Sequence, residues 1–457
     1  MRALHILGAL AFGVVGCSVI NAFDDVAPGN DASATGGTGA ASGGTGGTGA
    51  AAGSAGSGGG AGGSDAAAGG GAAGGGGSGG TTAQPGAIVL GARVANTGPP
   101  QKEVLVALSP HDGSELVRED VPQAVTGLAH EGVPGRDFWY VLRRTEAPPS
   151  QKTELSIRRL NRSTTPATWD VLDTLEVPPV FDEKGIAVLN RRLVYLANVQ
   201  GDAGVSTALV AIDTSDETNL VLLPPLIVSD EFRGLIGHPS TTQAGGILSL
   251  IRFQGAGQVS IGVQKAAVPT TGAPQMVENN PTNVGGFLFP STSPAWGANN
   301  VENFDVIVLP PVVTDAGVGS AQLRQFNSSN HAPTSTQPFD VGGGNFRQLA
   351  FDSCRKLAIT VLLNQDNSIR VVPVSSGTEA KLSLNESAQR VFYEPYTQTA
   401  LAPFQGTNSQ IRAFSVGGTG QAPTITAKSL NAPADLIPSG PMAVEAPLNA
   451  QYKPVCN

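Results

Sequence analysis

Leu357-Ala358-Ile359-Thr360-Val361-Leu362-Leu363 runs into Asn364-Gln365-Asp366-Asn367, and then into Ser368-Ile369-Arg370-Val371-Val372-Pro373-Val374. Two short runs rich in β-branched residues flank a polar, Asn/Asp-rich turn, which is the signature of a hairpin. The same arrangement recurs upstream. Ile247 to Phe253 turns at Gly255-Ala256-Gly257 into Val259 to Val263, and Leu105 to Leu108 turns at Asp112-Gly113 into Glu115-Leu116-Val117. Such turn residues supply the left-handed backbone that tight hairpins need. No 3.6-residue periodicity is sustained after Gly86, so residues 86–457 read as all-β.

One strand type repeats as apolar-x-x-apolar: Leu105/Leu108, Ile157/Leu160, Leu209/Ile212, Leu323/Phe326, Ile369/Val372 and Ile411/Phe414, with Val259 to Val263 as an imperfect seventh. The closing positions are separated by 52, 52, 51, 63, 46 and 42 residues. An apolar strand often precedes the repeat by one turn, as at Phe138 to Leu142, Leu193 to Ala197, Phe304 to Leu309 and Leu357 to Leu362. The 63-residue step predicts an inserted loop near Pro281 to Ala298, carrying Trp296.

Units of this size, seven in number, resemble the four-stranded blades of seven-bladed β-propellers in general. Blade sheets are covered on both faces by neighbours, which accounts for near-continuous apolar runs. Trp169-Asp170 and Gly237-His238 occur once each, so the resemblance is not to WD40 repeats. Nor do Trp139, Trp169 and Trp296 recur by blade, as the repeated tryptophan docking of quinone-dependent propeller dehydrogenases requires. A pair of β-sandwiches is the competing architecture.

The N-terminus reads differently. Arg2 precedes an apolar run from Ile6 to Val15, followed by Val14-Val15-Gly16-Cys17. This resembles the lipobox of bacterial lipoproteins, which implies that residues 1–17 are a signal, that Cys17 is acylated, and that the bilayer is a partner through it. The run is too short to span a membrane. The alternative is an ordinary signal peptide, cleaved and discarded. Ser18 does not resemble the Asp that retains such proteins in the inner membrane, so the resemblance implies the outer membrane, facing periplasm or cell surface. Residues 18–85 are expected to be a disordered tether: 24 of the 50 positions from Asp31 to Gly80 are Gly. As a flexible coil, its last 55 residues or so span about 40 Å.

The net charge is −9, and an acidic chain does not collect phosphate backbones, so no nucleic-acid partner is expected. Beyond Cys17 the cysteines are Cys354 and Cys456. In an oxidising compartment they are expected to pair, pinning the C-terminal tail to the sixth unit; two free thiols are the alternative. A loop of that length gives up to about 4.7 kcal/mol in the chain-entropy model.

Other candidates carry less. His111, His130, His238 and His331 lack metal-ligand spacing and read as surface or turn residues. Asp213-Thr214-Ser215-Asp216-Glu217 lacks the spaced carboxylates of a calcium loop and reads as a solvated turn. Arg158, Arg324, Arg370 and Arg412 recur inside the repeat and are expected to pair with local carboxylates, not to bind an anion in a shared channel. No nucleophile elbow follows the tether, and the chain has no Walker loop or dinucleotide fingerprint. No catalytic residue, metal site or cofactor is expected. The expected role is a membrane-anchored propeller binding a protein or glycan. The alternatives are a hydrolase or lyase acting on extracellular polymer, and a scaffold subunit of an envelope complex.

Overall fold

The computed structural model describes residues 85–456 apart from short internal stretches, the longest at 96–100, 147–151, 240–244, 289–294, 333–338 and 405–409. The signal, Cys17 and the tether up to residue 84 lie outside the described residues.

β1 (Ile88–Val94), β2 (Glu103–Leu108) and β3 (Glu115–Val121) open the first sheet. The second is β4 (Val125–Val133), β5 (Arg136–Arg144), β6 (Thr153–Asn161) and β7 (Thr168–Val177). The third holds β8 (Ile186–Leu189), β9 (Arg192–Gly201), β10 (Gly204–Asp213), β11 (Val221–Leu222) and β12 (Leu226–Ile227). The last two both pair with β10, on either side of Pro224-Pro225. The fourth holds β13 (Phe232–Pro239), β14 (Gly245–Gln254), β15 (Gln258–Pro269), β16 (Gln275–Met276) and β17 (Thr282–Leu288). The fifth is β18 (Ala295–Asn299), β19 (Phe304–Leu309), β22 (Ala321–Asn327) and β23 (Phe339–Gly342), with a ribbon of β20 (Val313–Thr314) and β21 (Gly317–Val318) between its second and third strands. The sixth is β24 (Asn345–Asp352), β25 (Leu357–Leu363), β26 (Ser368–Pro373) and β27 (Ala380–Ser383). The seventh is β28 (Phe392–Glu394), β29 (Thr399–Phe404), β30 (Gln410–Gly418) and β31 (Pro423–Lys428). β32 (Leu436–Val444) then returns to pair with β1, placing Val444 opposite Ile88 and Met442 opposite Leu90.

Every described sheet pairing is antiparallel: most join hairpin neighbours, β10–β12, β15–β17 and β19–β22 skip the strands between them, and β1–β32 makes the closure. The innermost strands touch in a closed cycle, β32 to β4, β8, β13, β18, β24, β28 and back to β32. Seven radial sheets around one axis make a β-propeller. All seven copies of the apolar repeat fall on the third strand of a sheet, and the four preceding apolar strands are second strands. The predicted insertion near 281–298 needs correction. That segment carries β17 and β18, with Trp296 on the innermost strand of the fifth sheet. The extra length of this step is spent on β17, which lies beside β16 on β15, and on the β20–β21 ribbon.

The core lies between sheets. Tyr140, Leu142 and Ile157 of the second pack on Leu193, Tyr195 and Val210 of the third. Trp139, fully buried, packs with Val89 and Leu105 of the first sheet and meets the edge of Trp169 at 6.3 Å. Inner strands approach closely because glycines sit on them. A Cβ at Gly127 would lie 2.6 Å from Ile186 Cδ1 and 2.8 Å from Leu142 Cδ1; at Gly237 it would lie 2.9 Å from Ala187 Cβ. Gly127→Val should therefore overpack the seam between sheets two and three and destabilise by about 1–3 kcal/mol. Thermal or urea denaturation showing wild-type stability would contradict that packing.

Candidate functional site

The up-and-down connectivity gives the ring two unlike ends. At one, hairpin turns join first to second and third to fourth strands; Pro85–Gly86 and the C-terminal tail lie here, so it is called the tail end. At the other, the loop end, connections join second to third strands and one sheet to the next.

At the tail end, four arginines reach from one sheet to the next. Arg136, at the start of β5, donates to Thr214 O at 2.5 Å in the β10–β11 turn. Arg192, at the start of β9, pairs with Asp213 at 3.2 Å and donates to Thr270 O beyond β15. Arg162 joins Glu445 and Gly86 O across the seam between sheets one and two. Arg355 donates to Val416 O at 3.0 Å, linking sheets six and seven. A guanidinium suits this task because its planar fork serves several carbonyl and carboxylate oxygens at once.

Glu131 is the centre of the largest such group. It is fully buried on β4 and accepts from Arg136 Nε and Nη2 at 3.1 Å each, from Tyr140 Oη, and from Tyr452 Oη at 2.5 Å. Tyr140 Oη also lies 3.0 Å from Thr214 Oγ1, from whose hydroxyl it can accept. Two more carboxylates end inner strands. Asp352 accepts from Cys354 N, Arg355 and Tyr393 Oη, and Glu394 accepts from the backbone of Tyr396 and Thr397. Each satisfies turn N–H groups that would otherwise be orphaned.

The candidates named from sequence fall into place against this frame. Cys354, in the β24–β25 turn, and Cys456, in the tail, stand at disulfide distance with Cα atoms 5.4 Å apart. His111 Nε2 contacts Pro85 O at 3.0 Å, and His130 Nε2 contacts Asp137 at 2.7 Å while its ring packs on Trp139. His238 and His331, expected to be turn or surface residues, are buried and meet through Ser249: its Oγ is 3.2 Å from His238 Nε2 and 3.3 Å from His331 Nε2, with Glu278 3.6 Å from His331 Nδ1. Ser249 is 0% exposed, and the cluster ties the fourth sheet to the turn after β22. Asp213 and Asp216 cap their own turn through Ser215 and Thr218. Arg158 pairs with Glu119, Arg370 with Glu379 and Arg412 with Glu386, as expected of structural pairs; the side chain of Arg324 lies outside the described residues. Among the described residues no group of three or more His, Cys, Asp and Glu is placed to hold a metal.

At the loop end a cavity of about 250 Å³ opens beneath the 429–435 connection, lined by Gln410, Ile411, Leu430, Ala432 and Leu436. The connection is held at its far side by Arg118, which grips Asp435 with both amino groups at 2.6 and 3.1 Å. That grip, ahead of the cost of burial, holds the Asp435 carboxyl below the ordinary range.

Comparison with known proteins agrees with the fold. No family model matches the chain, and no curated protein does. Among solved structures it is similar to the periplasmic gluconolactonase PpgL of Pseudomonas aeruginosa, with a TM-score of 0.52 at 11% identity over 79% of this chain and 99% of that one. Hsv2 of Kluyveromyces lactis gives 0.42 at 10% identity over 73% and 95%, and a nidogen/laminin complex gives 0.36 at 10% identity over 79% and 99%. At 11% identity the likeness to the Pseudomonas protein is one of fold, a β-propeller.

Two predictions follow from the buried polar groups. Glu131→Ala leaves a guanidinium and two tyrosine hydroxyls without their acceptor, and should cost about 3–5 kcal/mol in denaturation experiments. All five tyrosines have hydroxyl pKa values raised, chiefly by burial: Tyr140, Tyr195, Tyr393 and Tyr452 strongly, and Tyr396 to about 12. A folded pKa above the unfolded value of about 10 contributes stability that is complete below pH 10 and is lost as pH rises toward the folded value. Absorbance at 295 nm should stay flat past pH 10 and then rise together with unfolding. Stepwise tyrosinate formation in folded protein near pH 10 would contradict this burial.

Proposed function

We propose that this chain is a lipid-anchored envelope protein that presents the loop end of its propeller to a protein or glycan partner. The observation that carries the reading is the position of the chain ends. Ile88 pairs with Val444 at the tail end, and Pro85–Gly86 is held there by His111 and Arg162. A tether arriving at Pro85 therefore joins the propeller at the tail end, and the loops joining sheet to sheet point the other way. Loops on a rigid scaffold are where binding specificity is usually built, and the 250 Å³ cavity under residues 429–435 lies at this end.

The lactonase name of the Pseudomonas neighbour describes that protein, and an 11% likeness brings only the fold to this one. The charged clusters described above, the Glu131 and His238 groups among them, are buried in seams and at the tail end, which favours binding over hydrolysis as the role of the exposed loops. The test uses two variants of the full chain. Cys17→Ser should move the protein from the membrane to the soluble fraction, and unchanged membrane partition would remove the anchor. Labelled Cys17→Ser protein should bind envelopes of cells lacking the native chain, and adding Ala432→Trp at the cavity should weaken that binding about tenfold, or 1.4 kcal/mol. Undiminished binding would take the contact off this part of the loop end.

A further inference from the structure

The tail after β32 folds into a small hairpin. Leu448 bridges Pro454, and Val455 N–H donates to Pro447 O at 3.0 Å. Its outgoing arm lies on the second sheet: Ala446 N–H donates to His130 Nδ1 at 3.2 Å and Leu448 N–H to Gly132 O at 2.8 Å. Its tip reaches the third sheet. Tyr452 donates to Glu131 and accepts the Arg191 N–H at 2.7 Å. The returning arm ends at Cys456, beside Cys354 of the sixth sheet. From the bridged Pro454 to Cys456 is two residues, a reach of at most about 7 Å.

The sixth sheet is three steps round the ring from the third by one route, and three from the second by the other. A hairpin touching all three sheets cannot follow the rim; it crosses the axis. We infer that residues 445–456 are a disulfide-held strap that closes the tail end of the axial channel and leaves the propeller a cup open only at the loop end. The contacts described on the second and third sheets are hydrogen bonds, whereas the link to the sixth is the Cys354–Cys456 bond. The strap is therefore hinged on one side and latched on the other. A dithiol releases the latch: it gives up two electrons and two protons, closes to its own disulfide, and leaves Cys354 and Cys456 as thiols.

The test is amide hydrogen exchange read by mass spectrometry on the full chain, oxidised, treated with dithiothreitol after folding, and as the Cys456→Ser variant. Release of the latch should speed exchange about tenfold or more in peptides covering 449–456 and the 353–356 turn, with peptides of β5, β9 and β25 unchanged. Unchanged exchange at 449–456 in both reduced and variant protein would show that the cysteines do not hold the strap. Faster exchange through β5, β9 and β25 as well would show a staple for the whole ring and overturn the latch. Neither result depends on lipid at Cys17 or on a loop-end partner.

Discussion

The fold depends on the pairing of β32 with β1. Among the described residues, each of the other radial sheets is built from one continuous stretch of chain, but the first takes its innermost strand from the far end of the chain. Its register runs from Ile88–Val444 to Val94–Leu436, with one irregularity where Gly91 meets Gly440. Without β32, the first sheet would have no strand to set against β4, and the hydrophobic faces of sheets one, two and seven would lose a shared wall. Leu436 and Met442 of β32 lie in one cluster with Leu90 and Val106 of the first sheet and Leu401 and Ile411 of the seventh. Closure also costs entropy, because a pairing across more than 300 residues brings distant chain segments together. The structure spreads the compensating contacts over β32, the Arg118–Asp435 grip before it and the Cys354–Cys456 link after it.

A ring closed in this way makes every seam equivalent in kind, and the seams divide their labour. Near the axis, small residues such as Gly127 and Gly237 let inner strands approach. Midway, buried aliphatic and aromatic side chains interlock between sheets. At the tail end, arginines reach from one sheet's first turn to the turn of the next. This last layer is directional: Arg136 and Arg192 each bind carbonyls of the following sheet, which fixes the rotation of one blade relative to its neighbour more narrowly than apolar contact does. Removing one such arginine would leave buried acceptors unpaired, so the layer is costly to alter piecemeal.

How much of this was legible in the sequence follows from the same division. Apolar periodicity reports burial, so the third strands, the strands before them and the unit count could be read from positions such as Leu209/Ile212 and Ile369/Val372. The β-sandwich alternative differs from a propeller only in how sheets face each other, and the radial cycle of inner strands excludes it. The 63-residue step was visible but its content was not, because β17 and the β20–β21 ribbon are short strands without a pattern of their own. The repeating arginines at the second repeat position drew attention for their recurrence, yet they make ordinary pairs such as Arg370–Glu379. The cross-seam partners of Arg136, Arg192 and Arg355 are backbone carbonyls, which leave no trace in side-chain identity.

The polar clusters were hidden for a related reason. His238 and His331 lie 93 positions apart and meet only because Ser249 stands between the fourth sheet and the turn after β22. Glu131 and Tyr452 come together only because the tail folds back over the ring. One weak signal existed: a carboxylate beside an aromatic or histidine just before a turn, as in His130-Glu131, Phe351-Asp352 and Tyr393-Glu394. Asp352 and Glu394 end inner strands and Glu131 lies near the end of one; each accepts from turn amides or from a nearby arginine. An acid so placed stabilises a turn. That separates the two ends of the molecule by physical role. The tail end carries both chain termini of the ring with the Glu131 and seam-arginine groups, and the loop end holds the cavity beneath residues 429–435.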